Sequence, residues 1–194
     1  MPTHARHSIL WSVDSAMSQA ALTSRAVEEA AHGSCFADLS AAQLAIECAL
    51  PMAEAVARDR SRCGSGFLCI VVLDPALSPA RARFDDAVLV EHAVGDRSRW
   101  DADYAAFARA KAKLVWQRDC DGLRLQTASP HRLCAGDSLL RGGVCLDGIV
   151  VGVSGAFPWW DEAIGTAVAA NLRAIAQQRH AEAIEKGMLV ARPN

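Results

Sequence analysis

His131 and Cys134 stand three residues apart in an irregular, proline-containing segment, Ser129 to Leu140. A neutral imidazole and a thiolate both ligate transition metals, so this pair is the first candidate for metal or ligand binding. His92, near the end of an apolar run, is a second candidate metal ligand. Arg109, Lys111 and Lys113 share one helical segment, and a guanidinium grips a carboxylate through two parallel hydrogen bonds. Arg109 and Lys111 would therefore hold a carboxylated ligand; the plainer alternative is that all three complement the negative end of a helix. Gly142 and Gly143 serve backbone geometry first, but exposed amides there can cradle an anion. Trp159 and Trp160 follow Phe157-Pro158, and two adjacent indoles would line an apolar pocket or anchor a subunit interface, the second being the favoured reading. No catalytic triad is legible. Ser154 sits in Val-Ser-Gly rather than a Gly-x-Ser-x-Gly elbow, and no general acid or base is assigned.

These residues need elements to position them. The run Ile149 to Val153 is rich in β-branched residues and reads as a buried strand, preceded by a glycine-edged hairpin. Pro158 forbids the strand to continue, and Asp161-Glu162 place negative charge where a helix starts. That final helix is expected to run about five turns. Earlier, Phe67 to Leu73 is apolar throughout and reads as a central strand, and Ala87 to Ala93 as another. Leu123 to Thr127 alternates like a half-buried strand. Helices are expected from Asp14 or Ser15 to about Ala31, from Ala41 to about Arg60 with a kink or break at Pro51, and from Trp100 to about Arg118. The pattern is α+β: a small, mostly antiparallel sheet with helices on its faces, in a single domain. Residues 1–38 form an N-terminal extension with one helix, 39–178 the domain, and 179–194 a charged C-terminal extension.

With 194 residues, 52% of them hydrophobic and 22% charged, the chain can bury a real core and is not of disordered composition. A net charge of −2 without a basic stripe argues against nucleic acid as a partner. The seven cysteines are odd in number and include no Cys-x-x-Cys pair, which suits free thiols in a reducing cytoplasm. No signal peptide or ~20-residue apolar window is evident, so no membrane partner is expected.

Gly142-Gly143, the run Val151-Gly152-Val153-Ser154-Gly155 and the Asp161-Glu162 helix start together resemble the GlcG/HbpS family. This haem-degrading-domain-like group includes the C-terminal domain of PduO-type proteins. The segment Ala108 to Lys113 is similar to the family's Ala-Arg-x-Lys-Ala helix, and Ile70 to Asp74 to its Val-Val-Asp strand. The resemblance spans about residues 39–176. It departs at Cys145, where the family has proline, and at Asp74-Pro75, where a glycine is expected. It implies a profilin-like fold, a five-stranded antiparallel sheet between helices, assembled into homo-oligomers. It also implies a small-ligand-binding protein, with haem as the best-matching cofactor: His131, Cys134 or His92 would ligate the iron, and Arg109 and Lys111 would meet the propionates. Two further readings stand beside it. One is a non-catalytic assembly protein working through Trp159 and Trp160; the other is an enzyme acting on a small organic acid held by Arg109 or Lys111.

Overall fold

The computed structural model describes residues 33–191. The helix expected before Ala31 lies outside them. Five helices and four strands follow in order: α1 (Leu39–Arg58), β1 (Leu68–Leu73), α2 (Phe84–Ala87), β2 (Val88–Val94), α3 (Tyr104–Arg118), α4 (Gly122–Ala128), β3 (Gly143–Leu146), β4 (Ile149–Ser154) and α5 (Pro158–Glu185). The sheet is antiparallel and open, in the order β2-β1-β4-β3.

The two central strands are buried at every position because both faces are covered. Leu68, Ile70, Val72, Ile149, Val151 and Val153 face α1 and α5; Cys69, Val71, Leu73 and Val150 face α3. β3 and β4 are joined by Asp147-Gly148, both at positive φ (51° and 82°), the conformation a two-residue hairpin turn requires. On the α3 side the helix lies directly on the strands. A Cβ at Gly152 would come within 2.2 Å of the Ala108 carbonyl oxygen, and one at Gly143 within 2.6 Å of the Lys111 carbonyl oxygen. Side chains there would lift α3 off the sheet.

The α+β class and the single domain stand, but the five-stranded, profilin-like sheet does not: the sheet has four strands. The segment expected as the fifth strand, Leu123 to Thr127, is helix α4. Its leucines alternate with polar residues, but the Asp121 carboxylate accepts the Leu123 amide at 3.0 Å and caps a helix. Only Leu125 and Gly122 of that helix are buried, so one apolar contact per turn sufficed. Two further boundaries moved. Asp38 caps α1, accepting from the Ala41 amide at 2.9 Å, so the helix starts at Leu39 rather than Ala41, and it continues through Pro51 without a break. α5 spans 28 residues, roughly 42 Å, and passes position 178 without interruption. α1 is long and apolar enough to cross a membrane, yet its apolar face is spent on the sheet and α5.

Candidate functional site

Lys111 lies in the middle of α3 and points into the protein, with 4% of its surface exposed. Its ammonium donates to the Val153 carbonyl oxygen at 2.9 Å, the Ser154 hydroxyl at 3.2 Å and the Asp161 carboxylate at 2.8 Å. An ammonium has three hydrogens, and all three are engaged. The other Asp161 oxygen accepts the Ala156 amide at 3.0 Å. Burial pushes the Asp161 carboxyl up to about 6, against the pull of Lys111 beside it. Gly142, at φ +116°, closes the site: a Cβ there would sit 2.7 Å from the Val153 carbonyl oxygen and 2.8 Å from Asp161 Cβ. The motif residues Lys111, Gly142, Val153-Ser154 and Asp161 thus converge on one buried ion pair. It fastens α3, the end of β4 and the first turn of α5 together.

Arg109, on the opposite side of α3, forms an ion pair with Asp85 and another with Glu91 at 3.5 Å. Its guanidinium also lies over the Phe84 ring, 5.4 Å from the centroid. Arg109 and Lys111 therefore face different surroundings and do not form one anion clamp.

His131 is exposed in a short 3-10 turn, Pro130–Arg132, and Cys134 is exposed just beyond it. The Cys134 amide donates to Asp137 Oδ2 at 2.8 Å, and Arg118 donates to the same oxygen at 2.7 Å. The Arg118 guanidinium holds the Asp137 carboxyl below its ordinary value. This network shapes the loop. A hollow of about 440 Å³ lies beside it, between Lys113, Gln117 and Ser138, but neither His131 nor Cys134 lines it.

His92 is placed differently. It pairs with Ile70 across β1 and β2, so it points to the α1 side of the sheet. β2 is an edge strand, and His92 is half-buried there. It opens onto a groove of about 330 Å³, whose walls come from Leu50, Glu54, Ala57 and Arg58 of α1 and from Val94. Gly66 and Gly95 add backbone without side chains. Neither ring nitrogen of His92 has a partner among the described residues. Arg58 meets Glu54 at 3.3 Å on the rim. Sequence reasoning named His92 but not Glu54 or Arg58. The signal was available, since positions 50, 54, 57 and 58 fall on one stripe of a helix.

Trp159 is 58% exposed and stacks on Phe157, with ring centroids 5.5 Å apart and planes 15° from parallel. Trp160 turns the other way, packs against the core and carries the Arg62 guanidinium 4.9 Å from its ring centroid. The two indoles therefore do different work. No group of three or more His, Cys, Asp or Glu side chains able to hold a metal ion occurs among the described residues. Comparison of the chain with protein-family models, with curated proteins and with solved structures gives no match.

Proposed function

We propose that this protein binds a small, planar, carboxylated ligand in the groove between α1 and the edge strand β2. The observation that carries the reading is His92: a half-buried imidazole, without a protein partner among the described residues, at the wall of a groove. Leu50, Ala57 and Val94 supply apolar surface for a flat ring system, and Arg58 supplies a cation for a carboxylate. Haem is the member of that class suggested by the GlcG/HbpS resemblance. His92 suits axial ligation of its iron, and Arg58 suits a propionate. At about 330 Å³ the groove stands near the lower end of the ~300–1,000 Å³ range of small-ligand pockets, so much of a macrocycle would remain in solvent. Bound iron would supply any redox chemistry; the chain's own contribution is ligation, orientation and an apolar wall. The test is a titration with haem followed in the Soret region. A saturable, stoichiometric shift lost in His92→Ala and retained in His131→Ala and Cys134→Ala supports the reading. A shift unaffected by His92→Ala rejects it.

A second reading, assembly of a homo-oligomer through the start of α5, is favoured by the exposed Phe157–Trp159 stack. It predicts that Trp159→Ala lowers the mass measured by light scattering, and an unchanged mass rejects it.

A further inference from the structure

Building on the His92 groove, we infer that Glu54 is its specificity-determining residue: it occupies Arg58 until the carboxylate of a ligand displaces it. The groove contains three ionisable side chains, Glu54, Arg58 and His92, so Arg58 is the one fixed cation a ligand carboxylate can reach there. Its present partner is weakly held. Arg58 and Glu54 touch through a single 3.3 Å contact between successive turns of α1, with 70% and 45% of their side chains exposed. Pairs of that kind contribute little, because solvent screens them and both side chains lose freedom. A ligand carboxylate able to engage the guanidinium through two parallel bonds offers a better partner. The exchange releases Glu54 to water at little cost, since it stays on the rim. An uncharged ligand gains nothing from Arg58 and leaves the pair intact. Glu54 therefore lowers affinity for anions in general and reserves the site for ligands that combine a carboxylate with a group for His92 and the apolar wall.

The probes are haem and its dimethyl ester, in which methylation removes the charge of both propionates and leaves the macrocycle and iron unchanged. Both are titrated in the Soret region against wild type, Glu54→Gln, Arg58→Gln, the double variant and His92→Ala. All the substituted side chains lie outside the core, and far-UV circular dichroism confirms folding. Glu54→Gln should tighten haem about twofold, the equivalent of ~0.4 kcal/mol, and leave the ester unchanged. Arg58→Gln should weaken haem alone, and in that background Glu54→Gln should lose most of its effect. Equal responses of haem and ester to Glu54→Gln, or no response of haem, would overturn the role of Glu54 while His92-dependent binding left the groove in place. Haem binding that survives His92→Ala, or no saturable binding of either probe, would overturn the groove and this inference together.

Discussion

Removing the Lys111 ammonium while leaving Asp161 in place should be among the most damaging single changes in the described structure. In Lys111→Met the stem remains to fill its space, but the Asp161 carboxylate, 1% exposed, loses the one cation that touches it. Breaking a buried pair in this way costs about 3–5 kcal/mol. For a chain of this size that is roughly 6–20 °C in Tm. Burial outweighs the attraction of Lys111 and leaves the Asp161 carboxyl at about 6, above its ordinary 3.8, so the ionised form is held at a cost. Lys111→Met combined with Asp161→Leu should therefore recover most of the loss, since apolar replacement of both partners is commonly neutral or better. The pH dependence follows from the same shift. The folded state holds its proton more tightly than the unfolded chain, so the penalty for the ionised Asp161 is fully present above about 6 and fades as pH falls toward 3.8. The stability of wild type relative to Asp161→Asn should rise by about 2 kcal/mol between pH 7 and pH 4. Urea denaturation at a series of pH values measures all of these. A loss below ~1 kcal/mol in Lys111→Met, or a double variant as unstable as the single one, would refute the reasoning.

Close approach of α3 to the sheet makes Gly152→Ala destabilising by at least ~3 kcal/mol in chemical denaturation, because the new methyl meets the Ala108 carbonyl at 2.2 Å. Gly142→Ala should cost about 2–4 kcal/mol, combining a positive φ with contacts to Val153 and Asp161. Thiol labelling of the native protein should modify the exposed Cys48 and Cys134 quickly. Cys63 and Cys69 should react only on unfolding, since both are fully buried and burial pushes the Cys69 thiol up to about 12. Arg109→Ala should change the protein's behaviour toward small carboxylates little, as calorimetry with such acids would record, because Asp85 and Glu91 already occupy its guanidinium.

The elements that sequence periodicity locates well are those buried on both faces. Leu68 to Leu73 and Ile149 to Val153 are unbroken by any charged or strongly polar residue, and short runs of that kind bounded by turn residues suit a buried strand. The segment around Leu123 to Thr127 was legible only ambiguously. Five residues with alternating leucines satisfy both periods, and the Asp121 cap decides between them through a local bond that periodicity does not register. The glycine-rich motif stood out in the sequence for a reason, but the reason is packing: Gly142, Gly143 and Gly152 admit α3 and its lysine to the sheet. Lys111 and Arg109 are two residues apart, which on a helix places them on different faces, so their joint use as a clamp was already excluded by geometry. The groove was harder to see. His92 and the Glu54–Arg58 pair are distant in sequence and meet only because β2 takes the edge of the sheet beside α1.

Nuclear magnetic resonance of the imidazole groups tests the proposed role of His92 most directly. The chain has six histidines, and sub-stoichiometric ferric haem broadens the signals of those nearest its iron. His92 should broaden first, and His131 should keep its line width until much higher ratios. Broadening of His131 ahead of His92, or of no histidine at all, would contradict that role.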